Sequence, residues 1–165
     1  AHLAAEVDAG VAVARCMPTT TALVGKGVFA FCFRADAEEW RAPVLELFRH
    51  LGQCLELPEG RFTDFSALIG AGPAYVFVMM QALVQAGVTL GFRHAEARDM
   101  VNALFAGCAA LAEAETAPLI QLRDDVCSPG GLTIAGVNVL DRAGLTGLIV
   151  EAVLAAQKRG REMES

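Results

Sequence analysis

The chain has 165 residues, 55% of them hydrophobic and 19% charged, with 13 Lys and Arg against 19 Asp and Glu for a net charge of −6. That length holds one domain and part of another, and an acidic balance without a basic cluster interleaved with aromatics speaks against nucleic-acid binding. A mean hydropathy of +0.45 asks for much of the surface to be covered by a partner or to meet lipid.

In chain order, residues 1–9 read as the end of a helix. Residues 11–16 read as a buried strand, and residues 27–33, rich in aromatic and β-branched side chains, as a second. Asp36 and Glu39 have capping-box spacing, with Asp in the usual place of Ser or Thr. The helix they open runs to about Leu51, with Val44, Leu45, Leu47, Phe48 and Leu51 on one face. Residues 54–57 suit a short strand. Pro58 to Gly60 suit a junction between two domains, residues 1–58 and residues 59–165.

Beyond Arg61 every signal is helical, and residues 65–92 contain no charged side chain. Gly70-Ala71-Gly72-Pro73 should interrupt the helix or restart it at Pro73, giving an apolar helix over residues 74–89. Helices over residues 94–115 and 119–125 follow, then two more over 132–142 and 145–162, separated by Gly144. The uncharged stretch is long enough to span a membrane, which makes a small membrane protein one function class. Gln81 and Gln85, the Gly-Ala-Gly-Pro break and flanks without a Lys or Arg excess favour a helix buried in a protein interior instead. The five cysteines, Cys16, Cys32, Cys54, Cys108 and Cys127, form no CxxC pair and have no histidine at ligand spacing. Zinc is disfavoured, and free buried thiols in a reducing cytosol are expected.

The segment richest in chemical information is Ser128-Pro129-Gly130-Gly131-Leu132-Thr133. Ser128 suits an N-cap and Pro129 the first helical position. Two glycines let another group approach the backbone, and bare N–H groups at a helix start attract anions. Thr133 adds a hydroxyl one turn in. The layout suits a small carboxylate whose neighbouring atom needs a hydrogen-bond partner. The alternative is an ordinary capped helix, with Thr133 bonding back to a carbonyl of the preceding turn.

Asp124-Asp125-Val126-Cys127-Ser128-Pro129-Gly130-Gly131-Leu132-Thr133-Ile134-Ala135-Gly136 resembles the signature of the pyrroline-5-carboxylate reductase family. Arg15-Cys16-Met17-Pro18-Thr19-Thr20-Thr21-Ala22-Leu23-Val24 is similar to its Met-Pro-Asn-Thr-Pro segment, and Gly70-Ala71-Gly72-Pro73-Ala74-Tyr75-Val76-Phe77 to its Ser-Gly-Ser-Gly-Pro-Ala-Tyr segment. The stretch from Gly144 to Arg159 resembles the closing helix. The four matches keep their order and cover the chain from about Val11.

The resemblance implies a mainly α fold: an all-helical C-terminal dimerisation domain preceded by the last α/β elements of a Rossmann-like nucleotide-binding domain. It implies a cytoplasmic homodimer, open to higher assembly, with helix 74–89 sandwiched by partner helices and with no membrane, nucleic acid or metal involved. The implied reaction is reduction of the cyclic imine Δ1-pyrroline-5-carboxylate to L-proline with NADPH or NADH. Ser128 and the backbone N–H groups of Gly130, Gly131 and Leu132 would hold the substrate carboxylate. The Thr133 hydroxyl would bond the ring nitrogen as the catalytic group, although it is too weak an acid to supply the proton unaided. Met17, Pro18 and Thr19 would border the nicotinamide. No glycine-rich fingerprint follows a first strand, since Gly70-Ala71-Gly72 runs into Pro73 without a third glycine. The chain therefore reads as the C-terminal part of a longer reductase, not expected to hold cofactor or turn over alone. Thr19 stands for the family's Asn, Thr21 for Pro, and Ile69 and Ala71 for two serines. Pro118 stands one residue further from Leu122 than the pattern has it. These departures keep two alternatives open: a non-catalytic helical dimerisation module, and a reductase for a different cyclic imine.

Overall fold

The computed structural model describes Val7 and residues 11–164. The elements are β1 (Ala14–Met17), a 3-10 turn (Thr20–Val24), β2 (Gly27–Phe33), α1 (Glu38–Arg49), β3 (Gly52–Glu56), a short helix α2 (Phe62–Phe65) and a π turn (Ser66–Gly70). Then come α3 (Gly72–Thr89), α4 (His94–Ala114), α5 (Leu119–Asp125), α6 (Leu132–Arg142) and α7 (Leu145–Glu164). The fold is mainly α, with one sheet in the order β1-β2-β3, antiparallel on the β1 side and parallel on the β3 side. Two compact units divide the chain: Ala1–Ala74 with Val153–Ser165, and Tyr75–Ala152.

In the first unit β2 is the centre. Successive strand side chains point to opposite faces, so Phe29 and Phe31 turn to one side and Ala30 to the other. Phe48 of α1 meets both phenylalanines edge-on, with ring centroids 5.2 and 5.1 Å away. Ala30 is covered by Phe62 and Phe65, and all three are buried. Arg15 stacks its guanidinium 4.5 Å above the Phe62 ring and pairs with Glu59, tying β1 to the start of the helical segment.

Several expectations need correction. The strand placed at residues 11–16 forms at Ala14–Met17 and is not buried: Ala14, Arg15 and Cys16 are exposed because β1 pairs only with β2 among the described strands. The helix end placed at residues 1–9 lies outside the described residues except for Val7. In α1 the inward face is Val44, Leu45 and Phe48, while Leu47 and Leu51 are exposed. The capping box does not form. Arg34 donates through Nε to both Asp36 carboxylate oxygens, at 2.7 and 2.9 Å, a charge-assisted grip roughly twice as strong as a neutral cap bond. Ala37 takes the N-cap position instead.

Gly70-Ala71-Gly72-Pro73 does end one helical stretch and start the next: the π turn ends at Gly70, Ala71 is a bend and α3 begins at Gly72. The Ala71 N–H donates to the Ser66 carbonyl at 2.8 Å, five residues back, and a π turn carries the chain into α3. Pro73 is the second residue of α3, in the first turn, where its missing N–H has no acceptor to lose. The continuous run Glu59–Thr89 could cross a membrane by length and composition, and 11% of its most apolar window is buried.

The end of α7 closes the first unit. Gln157 donates to Asp64 Oδ1, Arg61 lies 3.1 Å and Arg161 3.5 Å from that carboxylate, and the Thr63 hydroxyl donates to Glu164. A Cβ on Gly160 would stand 2.7 Å from Thr63 Cγ2, so only glycine allows this approach. The second unit has a small core of Val84, Ala97 and Val101, flanked by Met80 and Phe105, where Gly87 lets α3 cross close to Ala97 of α4. The Arg93 N–H donates to the Glu96 carboxylate at 3.0 Å and closes the start of α4. Much of the remaining apolar surface is bare: Phe77 is 61% and Val78 70% exposed.

The hydrogen bond from Gln157, and then the Arg61 and Arg161 charges, hold the Asp64 carboxyl below the usual carboxylate range. A depressed native pKa contributes stability that is present above the unfolded value of about 4 and is lost as pH falls through the native value. Thermal melts between about pH 6 and pH 2 should show stability falling in that acid window, and Asp64→Asn should lower the melting temperature at neutral pH while flattening the acid decline. An unchanged slope would remove Asp64 from the linkage.

Candidate functional site

The Met17-Pro18-Thr19 loop leaves the sheet at the end of β1. The register pairs Arg15 with Cys32 and Met17 with Ala30. Continued by two residues, it sets Thr19 opposite Val28. The Thr19 N–H donates to the Val28 carbonyl at 3.1 Å. The return bond goes from the Val28 N–H to the Thr19 hydroxyl at 2.9 Å, not to the Thr19 carbonyl. The side chain thus replaces the backbone in the ladder, and the freed carbonyl accepts the Ala22 N–H at 3.2 Å to start the 3-10 turn. Pro18 falls on the non-hydrogen-bonded position of the alternating antiparallel pattern, where it costs the ladder nothing. Thr19 is 5% exposed and its hydroxyl also meets that of Thr21 at 2.8 Å. Its side chain is therefore engaged inside the protein, Met17 is half-buried against the core, and the outward parts of the loop are Pro18 and backbone.

Met17 packs against the Ala30, Phe62 and Phe65 cluster. Its Cε reaches Gly70 at the end of the π turn, where a Cβ would stand 3.1 Å from it. Two stretches fifty residues apart in sequence meet there.

The Ser128–Thr133 stretch is an open turn into α6. Ser128 is not the N-cap and Pro129 is not the first helical residue: Gly131 is the N-cap, in extended backbone, and Leu132 opens the helix. The Gly131 N–H donates to the Ser128 carbonyl at 3.0 Å, and Gly130 takes the left-handed conformation with φ +68° that the turn requires. The first donor into the ladder is Ala135, whose N–H reaches the Gly131 carbonyl at 3.3 Å. The N–H groups of Leu132, Thr133 and Ile134 therefore have no intrahelical acceptor. Leu132 is 96% exposed, and Ser128, Gly130 and Thr133 are exposed as well. The flanking carboxylates are engaged: Asp124 by Arg123 at 2.6 Å, Asp125 by Gln121 at 2.7 Å.

The structure thus brings Met17, Pro18 and Thr19 together in the first unit, and Ser128, Gly130, Gly131, Leu132 and Thr133 together in the second. Two open surface pockets flank α1, and neither is lined by any of these residues. No group of three or more His, Cys, Asp or Glu side chains among the described residues is placed to hold a metal ion; all five cysteines are free, but none is buried as expected: Cys16 and Cys108 are exposed and Cys32, Cys54 and Cys127 half-buried. The π turn, the Thr19 clamp and the Met17–Gly70 contact escape sequence reasoning. The small residues of Gly70-Ala71-Gly72 were their one signal, and they read as a break.

The family model for pyrroline-5-carboxylate reductase dimerisation matches residues 59–163. The chain belongs to the pyrroline-5-carboxylate reductase family. It is 37% identical over 153 residues to the Synechocystis reductase, covering 92% of this chain and 57% of that protein. Against the Pisum sativum reductase it is 36% identical over 150 residues, covering 90% and 55%. Among solved structures, the Plasmodium falciparum enzyme with NADP bound superposes with a TM-score of 0.92 at 29% identity, covering 99% of this chain and 65% of that one. The Coxiella burnetii family member gives 0.86 at 29% identity, covering 93% and 57%. The chain thus spans little more than half the length of the curated relatives it matches.

Gly130→Ala should cost about 1–2 kcal/mol, because a Cβ disfavours the left-handed conformation even though nothing crowds the site. Chemical denaturation of the chain checks this. A loss below about 0.3 kcal/mol would mean that the turn relaxes out of positive φ.

Proposed function

We propose that this chain is the substrate-binding and dimerisation part of an NAD(P)H-dependent reductase that converts Δ1-pyrroline-5-carboxylate to L-proline. The observation that carries the reading is the family match over residues 59–163 together with a helix start at Leu132 whose first N–H groups lie outside the helix ladder. The domain boundary on this reading falls near Pro58 to Gly60, with the α/β remnant before it and the helical domain after it.

The substrate carboxylate would lie at the α6 N-terminus, where backbone donors and the helix dipole favour an anion. With the Gly131 N–H drawn to Ser128, Gly130 and Leu132 supply the donors. Gly131 serves by leaving room, and Ser128 shapes the turn. The Thr133 hydroxyl, on the second residue of α6, would donate to or accept from the ring nitrogen and steady the charge that changes there. The proton itself comes from a pre-protonated imine or a relay.

NADPH or NADH supplies the hydride when bound. The residues present fit only its nicotinamide end: Pro18 is exposed on the loop, Met17 seats the loop against the core, and Thr19 fixes it from inside through Val28. The open turn at Ser128 needs further walls, which a second copy of the chain would provide in a homodimer. The bare apolar faces of α3 and α4, with Phe77, Val78, Leu104 and Leu111 exposed, support such an interface. Its area should exceed about 2,000 Å² in total, as obligate dimers have. Five free thiols are in keeping with a cytoplasmic location.

Sedimentation at micromolar concentration should give a dimer, and a monomer would refute the assembly. In the enzyme carrying this chain, Thr133→Ala should slow turnover roughly ten- to a hundredfold, as loss of one hydrogen bond to a charged atom does, with dinucleotide affinity held. Unchanged turnover and substrate KM would take Thr133 out of the site. Gly131→Val should abolish proline binding to the dimer in calorimetry, since a side chain there runs into Ser128 and the carboxylate's space; retained binding would exclude the α6 N-terminus.

A further inference from the structure

We infer that Gly70 is a positioning residue for the cofactor end of the site: its missing side chain seats the methyl end of Met17 on the π turn and thereby holds the Met17-Pro18-Thr19 loop in place. The inference rests on the reading of that loop as the dinucleotide contact, and adds a residue outside it. Three observations support it. Met17 is confined, because it packs against Ala30, Phe62 and Phe65 as well as reaching Gly70. A Cβ at Gly70 would stand 3.1 Å from Met17 Cε, closer than the roughly 3.5–4.0 Å optimum of carbon contacts. Met17 would have to give way, and the core behind it limits where it can go.

The π turn is the second observation. Its extra residue, marked by the Ala71 N–H to Ser66 carbonyl bond at 2.8 Å, sets the angular position of Gly70. An uninterrupted α-helix would rotate another residue toward Met17. Third, the loop is anchored from its other side by the Thr19 hydroxyl and N–H on Val28. With one side clamped by hydrogen bonds and Met17 held against the core, a push on Met17 is passed to the backbone at Pro18, the exposed residue of the loop.

The test is a double-mutant cycle in the enzyme carrying this chain, with Gly70→Ala, Met17→Leu and the pair. The readouts are KM for NAD(P)H, kcat and melting temperature. Gly70→Ala should raise the dinucleotide KM about three- to tenfold, the coupling usual for residues in contact, with kcat at saturation little changed. In the Met17→Leu background it should add nothing, because leucine ends short of the place of Cε. An equal rise in both backgrounds would show that Gly70 does not act through Met17 and would overturn the inference. So would an unchanged KM with a lowered melting temperature, which would make Gly70 a packing residue only. If Met17→Leu moves KM and Gly70→Ala does not, the inference fails and the reading of the loop stands. If neither moves KM, both fail. Should Gly70→Ala not fold, the double variant, with space restored, should fold and keep the KM of Met17→Leu; an unfolded double variant overturns the inference too.

Discussion

Two aromatic rings of α2 press on a strand position that carries only a methyl group, and the first unit is arranged around that contact. Ala30 lets the Phe62 and Phe65 rings lie close against β2, and each ring withdrawn from water is worth about 1.5–3 kcal/mol. Because the rings are fixed there, Arg15 finds a flat face to stack on and Glu59 lies within its reach. Thr63 and Asp64, between the two phenylalanines, then turn away from the sheet and receive Gln157, Arg161 and Glu164 from the end of α7. Met17 reaches the same cluster from β1. A chain segment on each side of the junction is therefore held by one apolar contact, with charged groups as its rim.

The second unit is under the opposite constraint. Its buried cluster is three residues with two flanking side chains, while α3 through α7 leave many large apolar side chains in water. Single exposed apolar residues are ordinary, but continuous faces of this kind are a liability unless something covers them. The apolar character of α3 is almost uniform around its axis, as an interior helix requires. The close crossing at Gly87 and Ala97 satisfies only one side of it. The same surface makes Glu59–Thr89 pass for a membrane span by length and composition, and it lies within the residues 59–163 that match a dimerisation domain.

The residues announced the helices well and their ends less so. The strand Gly27–Phe33, the helix Leu119–Asp125 and the helix Leu132–Arg142 stand where periodicity and punctuation put them; burial supports the strand, while the two helices contain no buried residue and rest on local signals. Misreadings came where a competing contact won, whether a near neighbour or a distant ring. Asp36 was drawn from its cap by Arg34, two residues before it. Leu47 and Leu51 fit an apolar stripe, yet the stripe that packs is set by Phe48 between Phe29 and Phe31. At Ser128 the rule for caps favoured the hydroxyl, but Gly130 could enter positive φ, and the turn tightened so that Gly131 became the cap. The π turn had no sequence signature beyond small residues; Ile69 packs there against the Ala30, Phe62 and Phe65 cluster, and Gly70 meets Met17.

That fit bears on the positions where this chain departs from its family's pattern. Thr19 and Thr21 depart together, and their hydroxyls bond to each other at 2.8 Å while Thr19 also replaces a backbone acceptor for Val28. The pair is self-consistent, and a lone change at either position would leave a hydroxyl of the other without that partner. Ile69 stands for a polar residue and packs against the Ala30, Phe62 and Phe65 cluster, exchanging a hydroxyl for buried apolar surface. Nothing in the structure explains Ala71 beyond its backbone bond to Ser66. Three of the five departures, Thr19, Thr21 and Ile69, are thus adjustments within the packing of the loop and the π turn. Met17, Pro18, the two glycines and Thr133, which keep the family's pattern, lie outside these changes.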